Sequence, residues 1–323
     1  MGRGLGFQTS EALIGKRAHA LLDLACMSTI GDCAPLKDEN RIIVKKGLEV
    51  LSERKNKGVR ALAECGSIRA KEMNVGHVGF ILGPRINAAG RMSSPEIALQ
   101  LLMTEHDREA KSLAGILDQE NKLRQKEERQ MVKEALRDIE QTVNFNKERV
   151  LVVGRDGWHA GVIGIVAARL VEKYHRPAVV IAFDGETGKG SGRSIKSFNL
   201  YQSFQACSEC FEEFGGHPQA AGLSIRKENF AEFRKKINEY AAEHDAKDFQ
   251  KEIPVDMELS FEDLMSRFVR ELRLLEPHGI GNPRPLFRSK GLLLKGSPQK
   301  LSPQTLKFWL TSGDLTFEAT WTS

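Results

Sequence analysis

Long apolar runs are missing from this sequence, which contains no stretch of about 18 apolar residues such as a membrane-spanning helix needs. The first ten residues also lack the apolar core of a secretory signal peptide. Cysteine is scarce, with five residues, and the C-x-x-C pair Cys207 and Cys210 lacks the second pair or the histidines of a structural zinc site. We interpret this pair as reduced cysteines on a helix. An odd cysteine count without a disulfide framework is typical of a reducing compartment, so we expect a cytoplasmic protein without a membrane span.

The composition is that of a globular protein. Hydrophobic residues make up 41% of the 323 residues and charged residues 28%, which allows a sizeable buried core. The length predicts two or three domains. The net charge of +5 permits binding to a polyanion, although an ordinary solvated basic surface explains it equally well.

A carboxylate near the N-terminus occupies a predicted turn. Residues 11–30 have the apolar spacing of a helix, and residues 39–53 have it again. Between them, Gly31 and Pro35 flank Asp32, and helix interiors tolerate neither residue well. A carboxylate on such a turn suits a hard divalent cation. An aspartate in a turn is more often a cap, so Asp32 alone decides little.

The next segment carries two arginines that are candidates for binding phosphate. Residues 76–92 are a short apolar stretch followed by a predicted glycine-punctuated loop, which carries Arg85, Asn87 and Arg91. Each guanidinium can bind a phosphate in bidentate fashion, although a structural loop with surface arginines is the alternative. Residues 105–141 then form a long charged helix with a narrow apolar stripe, which is typical of a connection between domains.

The second half of the chain alternates between predicted strands and helices. We expect strands at 149–154 and 177–183, a glycine-rich strand or turn at 189–195, a third strand approached through 217–225, and helices at 161–173, 199–213 and 227–243. This alternation indicates an α/β domain. From residue 253 onward short strands and turns favour a small OB-like β-barrel, although fewer strands are countable than a complete barrel needs.

Two glycine-rich strings in the α/β segment suit the binding of an anion. The string Lys189 to Ser194 lets backbone amides, hydroxyl groups and the Arg193 cation converge on one ligand. In the second string, Gly215 and Gly216 expose backbone N–H groups beside His217, which can donate to a phosphate. A lone histidine is more often a structural residue, but the surrounding string of small residues is unusual.

Together these strings resemble the DHHA1 domain that accompanies the DHH phosphoesterases. The stretch around Asp32, the string Gly83 to Arg91 and the string Gly279 to Pro285 resemble RecJ-type exonucleases, in the same order along nearly the whole chain. The resemblance implies an α/β fold with four parts: the C-terminal part of a DHH catalytic domain at 1–104, a connecting helix at 105–145, a DHHA1 substrate-binding domain at 146–248, and an OB-like nucleic-acid-binding domain, shorter than a complete one, at 249–323.

The resemblance further implies 5′→3′ hydrolysis of single-stranded DNA in recombination and repair. It assigns catalytic roles to Asp32, as a ligand of two Mn²⁺ or Mg²⁺ ions, and to His217 at the scissile phosphate. Ser191 and Arg193 would seat the 5′-terminal phosphate. A single-strand-binding protein or a helicase is the kind of protein partner it suggests. Its full set of substrate contacts is Arg85, Asn87, Arg91, Ser191, Gly192, Arg193, Ser194, Gly215, Gly216 and His217.

The sequence departs from the family at the metal ligands. Members carry an Asp-x-Asp motif, a further aspartate and an Asp-His-His triplet, whereas this sequence has no Asp-x-Asp pair before residue 32 and no Asp-His-His anywhere. We therefore expect an N-terminally truncated chain with little nuclease activity alone. One alternative is a non-catalytic single-strand-binding module or half of a split enzyme. The other is a small-nucleotide phosphoesterase, against which the OB-like segment argues.

Overall fold

The computed structural model describes His19 and residues 21–322. They belong to two compact units, the first made of the described residues up to 53 together with 70–79 and 253–322, and the second of residues 54–69 and 80–252. Within the described part of the chain no helix has the length and apolar character to cross a lipid bilayer.

Helices occupy most of the N-terminal half and alternate with strands afterwards. Along the whole described chain, the α-helices are α1 (Leu22–Gly31), α2 (Asp38–Glu53), α3 (Lys57–Cys65), α4 (Val75–His77), α5 (Gly83–Met92), α6 (Glu96–Met103), α7 (Asp107–Thr142), α8 (Ile163–Tyr174), α9 (Leu200–Ala206), α10 (Phe230–Ala242) and α11 (Ser266–Leu272). The strands are β1 (Leu151–Asp156), β2 (Ala178–Asp184), β3 (Thr187–Arg193), β4 (Phe211–His217), β5 (Ala220–Arg226), β6 (Met257–Glu258), β7 (Phe287–Arg288), β8 (Leu293–Ser302), β9 (Thr305–Ser312) and β10 (Leu315–Thr322).

In the first unit, α1 and α2 pack closely against each other. A Cβ on Gly47 would lie 2.3 Å from the Cβ of Cys26, so glycine is needed where the two helices meet. The prediction that a helix ends before Asp32 is confirmed, because α1 ends at Gly31 and Asp32 is its C-cap. The start of that predicted helix, at residues 11–18, lies outside the described residues.

The second unit is built on a five-stranded sheet with the strand order β1-β2-β3-β5-β4. β1 and β2 are parallel and are joined through α8, whereas the other neighbouring strands are antiparallel. The apolar runs of β1 and β2 are buried because both faces of the sheet are covered. One face packs on α7 and α8 through Val153, Val180 and Val166, and the other packs on α9 and α10 through Val179, Phe204 and Phe233.

The predicted loop at Gly83 to Arg91 is wrong, because these residues form α5. The glycines of this string favoured a loop, but a helix begins at Gly83. Pro84 lies in its first turn, where the missing N–H has no intrahelical partner to lose. Ala88 and Ala89, both good helix formers, are fully buried and anchor the helix. The two arginines and Asn87 therefore project from a regular helix.

The predicted helix over 199–213 is wrong beyond residue 206. α9 ends at Ala206, and the chain enters β4 at Phe211. Long-range packing decides this, because the ring of Phe211 lies 4.9 Å from that of Phe233 and β4 pairs with β5. Cys207 and Cys210 consequently lie beyond the helix, where both are buried in the core.

The C-terminal strands form two sheets in the described residues. β8, β9 and β10 make a three-stranded antiparallel sheet, and β6 pairs with β7. Phe261 packs edge-on against Phe317 of the larger sheet with ring centroids 4.9 Å apart. These short strands agree with the predicted OB-like segment.

Candidate functional site

The register of the sheet brings the two glycine-rich strings of the sequence together. Ser191 on β3 lies opposite Gly222 on β5, which lies opposite Gly215 on β4. In the next row, Arg193 and His217 both lie opposite Ala220. Directly paired residues project from the same face, so all of these positions share one face of the sheet. Two strand spacings place Arg193 and His217 roughly 10 Å apart.

Arg193 lies over the first turn of α8. Its Nη1 donates to the Ser191 hydroxyl at 3.1 Å and to the Gly192 carbonyl at 2.8 Å. A Cβ on Gly164 would lie 2.9 Å from both Arg193 Nη2 and Ser191 Oγ, so a larger residue there would displace the guanidinium from its present position. The N-terminus of a helix carries partial positive charge and unpaired N–H groups. The guanidinium cation and the helix N-terminus both attract negative charge. An anion bound between them would therefore be stabilised by each.

Arg91 brings a second cation toward this place. Its Nη1 donates to the Gly161 carbonyl at 3.0 Å, and a Cβ on Gly161 would lie 2.6 Å from the Arg91 carbonyl oxygen. The end of α5 is therefore in direct contact with the loop that precedes α8.

The electrostatics of these arginines are unfavourable without a ligand. Burial lowers the pKa of Arg193, and the charge of Arg91 lowers it further. Burial also lowers the pKa of Arg91. The charge of Arg124 adds to this effect, and the charge of Glu128 partly opposes it. Within the described residues, no carboxylate lies within 4.0 Å of either the Arg193 or the Arg91 guanidinium. A bound anion would relieve this repulsion.

Beside Ser191 the sheet face is bare. A groove of about 450 Å³ is floored by Ser191, Gly215 and Gly222 and walled partly by Lys189. A Cβ on Gly215 would meet no atom within 4 Å, and one on Gly222 only the Gly190 carbonyl at 3.7 Å. Packing does not require glycine at these two positions, so their lack of a side chain leaves room for a ligand. Sequence reasoning did not assign Gly164 or Gly222 to the site. The strand register places Gly222 there, and the proximity of α8 to Arg193 places Gly164.

Gly216 is needed for the backbone conformation and not for ligand space. Its φ is +144°, and a Cβ there would lie 2.5 Å from the Ala220 carbonyl oxygen. The residue lets β4 approach the turn that follows His217, whose side chain is exposed at the end of the hairpin. The string Gly215 to His217 is thus the end of β4. Gly216 allows the backbone conformation, and Gly215 leaves the groove beside Ser191 free of a side chain.

Other predicted contacts have partners within the protein. Arg85 Nε donates to Asp118 Oδ1 at 2.9 Å, Nη2 forms an ion pair with the same oxygen at 2.8 Å, and Nη1 donates to the Ile81 carbonyl. The Ser194 hydroxyl donates to the Phe198 carbonyl at 2.7 Å and closes its own loop. Asn87 and Arg91 together line a cleft of about 510 Å³, separate from the groove beside Ser191, with several arginines of α7 and α8.

Asp32 lies in the first unit, exposed at the end of α1, where its N–H donates to the Ser28 carbonyl at 3.1 Å. Among the described residues no group of three or more histidine, cysteine, aspartate or glutamate side chains is placed to hold a metal ion. One carboxylate supplies too few ligands for Mg²⁺ or Mn²⁺. The described residues therefore do not fit a two-metal centre, and no chemical step through a metal follows from them.

Comparison with known proteins assigns these features to a class. Residues 147–243 match the DHHA1 domain, and residues 255–321 match the RecJ OB domain. The fold and the site thus define a DHHA1-domain protein with a C-terminal OB domain. This domain pair and the relatives below confirm the resemblance seen in the sequence, and the chain belongs to the RecJ family.

The relatives are similar to this chain over most of its length. The single-stranded-DNA-specific exonuclease RecJ of Bacillus subtilis is 40% identical over 88% of this chain, and that of Escherichia coli is 34% identical over 85%. The crystal structure of RecJ from Thermus thermophilus in complex with Mg²⁺ superposes with a TM-score of 0.83 at 32% identity and covers 97% of this chain. The chain spans half or less of these proteins, at 36%, 49% and 48% of their lengths.

Proposed function

We propose that this chain holds the substrate in a 5′→3′ exonuclease specific for single-stranded DNA, with the 5′-terminal phosphate seated by Ser191, Arg193 and the first turn of α8. The observation that carries the proposal is the placement of Arg193 over Gly164, with the charge of Arg91 nearby and no carboxylate within 4.0 Å of either guanidinium in the described residues. A terminal phosphate carries more negative charge than an internal phosphodiester, so this site favours a strand end. Seating of the 5′ end would set the polarity.

The remaining predicted residues extend this seat. The bare floor at Gly215 and Gly222 gives the strand a path across the sheet toward His217, which would contact the scissile phosphate. Relatives have been crystallised with Mg²⁺ and Mn²⁺. Asp32 would be one ligand of such divalent ions, whose chemistry when bound would be the activation of water for phosphodiester hydrolysis. We further infer action in the cytoplasm, in DNA recombination and repair, beside a single-strand-binding protein or a helicase.

The phosphate seat is tested by the preference for a phosphorylated end. We expect the chain to bind a 5′-phosphorylated oligothymidylate more tightly than the same oligomer with a 5′-hydroxyl. Arg193→Gln should abolish this preference, because a charge-assisted bond to phosphate contributes about 1.5–3 kcal/mol, or roughly 10- to 100-fold in Kd. Fluorescence anisotropy measures both dissociation constants.

Arg155→Gln is the matched control, since Arg155 is a half-exposed arginine of the same unit that pairs with Asp138. It should keep the preference. Equal affinity of the wild-type chain for the two ends would contradict the proposal, as would an undiminished preference in Arg193→Gln.

A second candidate is a non-catalytic single-strand-binding module. It would share the proposed strand binding and would lack the metal-dependent step. The small-nucleotide phosphoesterase gains no support, because residues 255–321 match the RecJ OB domain and a dinucleotide needs no surface of that kind.

A further inference from the structure

The segment that follows Asp32 is bound to a turn close to the OB strands of the same unit. The N–H of Leu36 donates to the Ile280 carbonyl at 2.6 Å, and Leu36 is buried. The turn itself is closed by two backbone bonds between Gly279 and Asn282, of 2.9 and 3.1 Å. Two segments that are remote in sequence therefore meet next to Asp32.

Side chains hold this turn in place. Asn282 Nδ2 donates to the Leu275 carbonyl at 2.8 Å and to the Pro277 carbonyl at 2.9 Å. Arg41, on α2, donates through Nη2 to the Leu274 carbonyl at 2.8 Å and the Glu276 carbonyl at 3.0 Å. These bonds stabilise the turn from inside and join it to the helix that follows the Asp32 segment.

Close packing makes glycine necessary in the turn. Gly281 has a φ of +76°, and a Cβ there would lie 3.0 Å from the Cβ of Pro35. A Cβ on Gly279 would lie 2.7 Å from Leu36 Cδ1. The turn thus makes van der Waals contact with both residues, in addition to the hydrogen bond.

The other end of the Asp32 segment is fixed by α1. The N–H of Asp32 donates to the Ser28 carbonyl, and that of Ala34 to the Thr29 carbonyl, each at 3.1 Å. Four residues later the chain reaches Leu36, which is bound to the turn. A segment this short, fixed at both ends, has few alternative paths.

We propose that the turn Gly279–Asn282 is a positioning element for Asp32: it fixes the segment 33–36 from the side of the OB domain, so that the Asp32 backbone is held in one conformation. One consequence rests on the proposed function: single-stranded DNA bound to the OB domain is held in a fixed position relative to Asp32.

Cys33 offers a direct probe of this segment. Cys33 and Cys65 are exposed, whereas Cys26, Cys207 and Cys210 are buried. A nitroxide on Cys33 of the Cys65→Ser chain therefore reports the mobility of the residue next to Asp32 by electron paramagnetic resonance. Amide hydrogen exchange over residues 30–37 of the unlabelled chain gives an independent measure.

Gly281→Ala should loosen the segment, because the added Cβ is strained at this φ and pushes on Pro35. We expect a larger mobile fraction of the label and about tenfold faster exchange at residues 32–36. Gly291→Ala is the matched control, since Gly291 has a φ of +68° but a Cβ there would meet nothing within 4 Å. Arg41→Gln, which removes two hydrogen bonds without backbone strain, should shift both measurements in the same direction. Mobility and exchange that are alike in Gly281→Ala, Arg41→Gln and the control would overturn the proposal.

A second arm adds a 20-residue 5′-phosphorylated oligothymidylate. Binding should immobilise the label in the wild-type and Gly291→Ala chains, whereas Gly281→Ala should bind with similar affinity and show a smaller spectral change. An equal spectral change in Gly281→Ala would also overturn the positioning role. If no chain binds the oligomer, the proposed function fails, while label mobility and exchange still decide whether the turn positions the segment.

Discussion

At the scale of single residues, the glycines of the second unit have two distinct purposes. At Gly216 the backbone requires glycine, because φ is positive and the strand approaches its own hairpin turn. At Gly164, Gly215 and Gly222 the backbone does not demand it. There the missing side chain leaves space for Arg193 or for a ligand on the sheet face.

Gly164→Ala tests the first of these spaces. The new Cβ would lie 2.9 Å from Arg193 Nη2 and displace the guanidinium from the first turn of α8. We expect the preference for a 5′-phosphate to fall roughly tenfold, which corresponds to about 1.4 kcal/mol. The ratio of the dissociation constants for phosphorylated and hydroxyl-ended oligomers measures this change.

Gly115→Ala is its control, since it also replaces a helical glycine but its Cβ would meet nothing within 4 Å. Alanine there should raise the free energy of unfolding by about 0.5–1 kcal/mol, measured in urea, and should leave the phosphate preference unchanged. A full preference in Gly164→Ala would show that Arg193 does not need this position.

At the scale of elements, ion pairs hold the helices around the site. Arg85 and Asp118 join α5 to α7, with side chains only 15% and 12% exposed. Glu128 of α7 accepts from Arg124 at 2.7 Å and from Arg169 of α8 at 3.1 Å. These contacts fix the position of α5, and with it Arg91, beside the loop that precedes α8.

The Asp118 pair should make stability depend on pH. Burial opposes ionisation of the Asp118 carboxyl, but hydrogen bonds from Lys122 and Arg85 outweigh it and lower its pKa below the ordinary value of 3.8. The stabilisation is therefore complete above that value and is lost as the pH falls through the folded-state pKa. We expect Asp118→Asn to lower the free energy of unfolding at pH 7 by about 1–3 kcal/mol. The difference from wild type should shrink as the pH falls below 3.8.

The free energy of unfolding is measured in urea at pH 7 and at pH 3 for wild type and Asp118→Asn. Asp107→Asn is the matched control at both pH values. Asp107 is also an α7 aspartate paired with an arginine, Arg60, but its side chain is 59% exposed. Solvent screening should leave stability at neutral pH unchanged within error. A loss in Asp118→Asn that is the same at pH 7 and pH 3 would show that packing, not charge, is the cause.

Elements were predicted well where local pattern decides them. The helix α7 and the strands β1 and β2 follow from apolar spacing and β-branched runs, and their prediction is confirmed. The errors at α5 and β4 have one cause. The glycines of the first segment and the predicted helix over 199–213 were interpreted locally, whereas packing on buried neighbours decides both segments. The exposed carboxylate at Asp32 and the strings on β3 and β4 were likewise found from sequence.

At the scale of the whole molecule, the features that support the proposed function concern strand binding rather than catalysis. The chain carries a net charge of +5, a DHHA1 domain and a RecJ OB domain. The described residues contain no cluster of metal ligands. The proposed binding to a long single strand can therefore be tested separately from hydrolysis.

We expect the purified chain to bind a 20-residue single strand more tightly than a dinucleotide, with an affinity that falls as salt rises, because phosphate contacts release counterions. We also expect little Mn²⁺-dependent release of nucleotides from a 5′-phosphorylated strand, since one described carboxylate cannot hold two ions. Robust release that is abolished by Asp32→Ala would contradict this expectation. Preferred cleavage of the dinucleotide would favour the small-nucleotide phosphoesterase instead.

The sequence by itself determined the turn at Asp32, the long helix, the α/β alternation and the residue types that suit a phosphate, because helix periodicity, breakers and β-branched runs act over a few neighbouring residues. Only the tertiary structure decided which of those residues meet. Strand register placed Ser191 beside Gly222 and Gly215, Asp118 took Arg85 as its partner, and the turn at Gly281 came to rest on Pro35. These contacts join segments that are remote along the chain, and no local pattern records them.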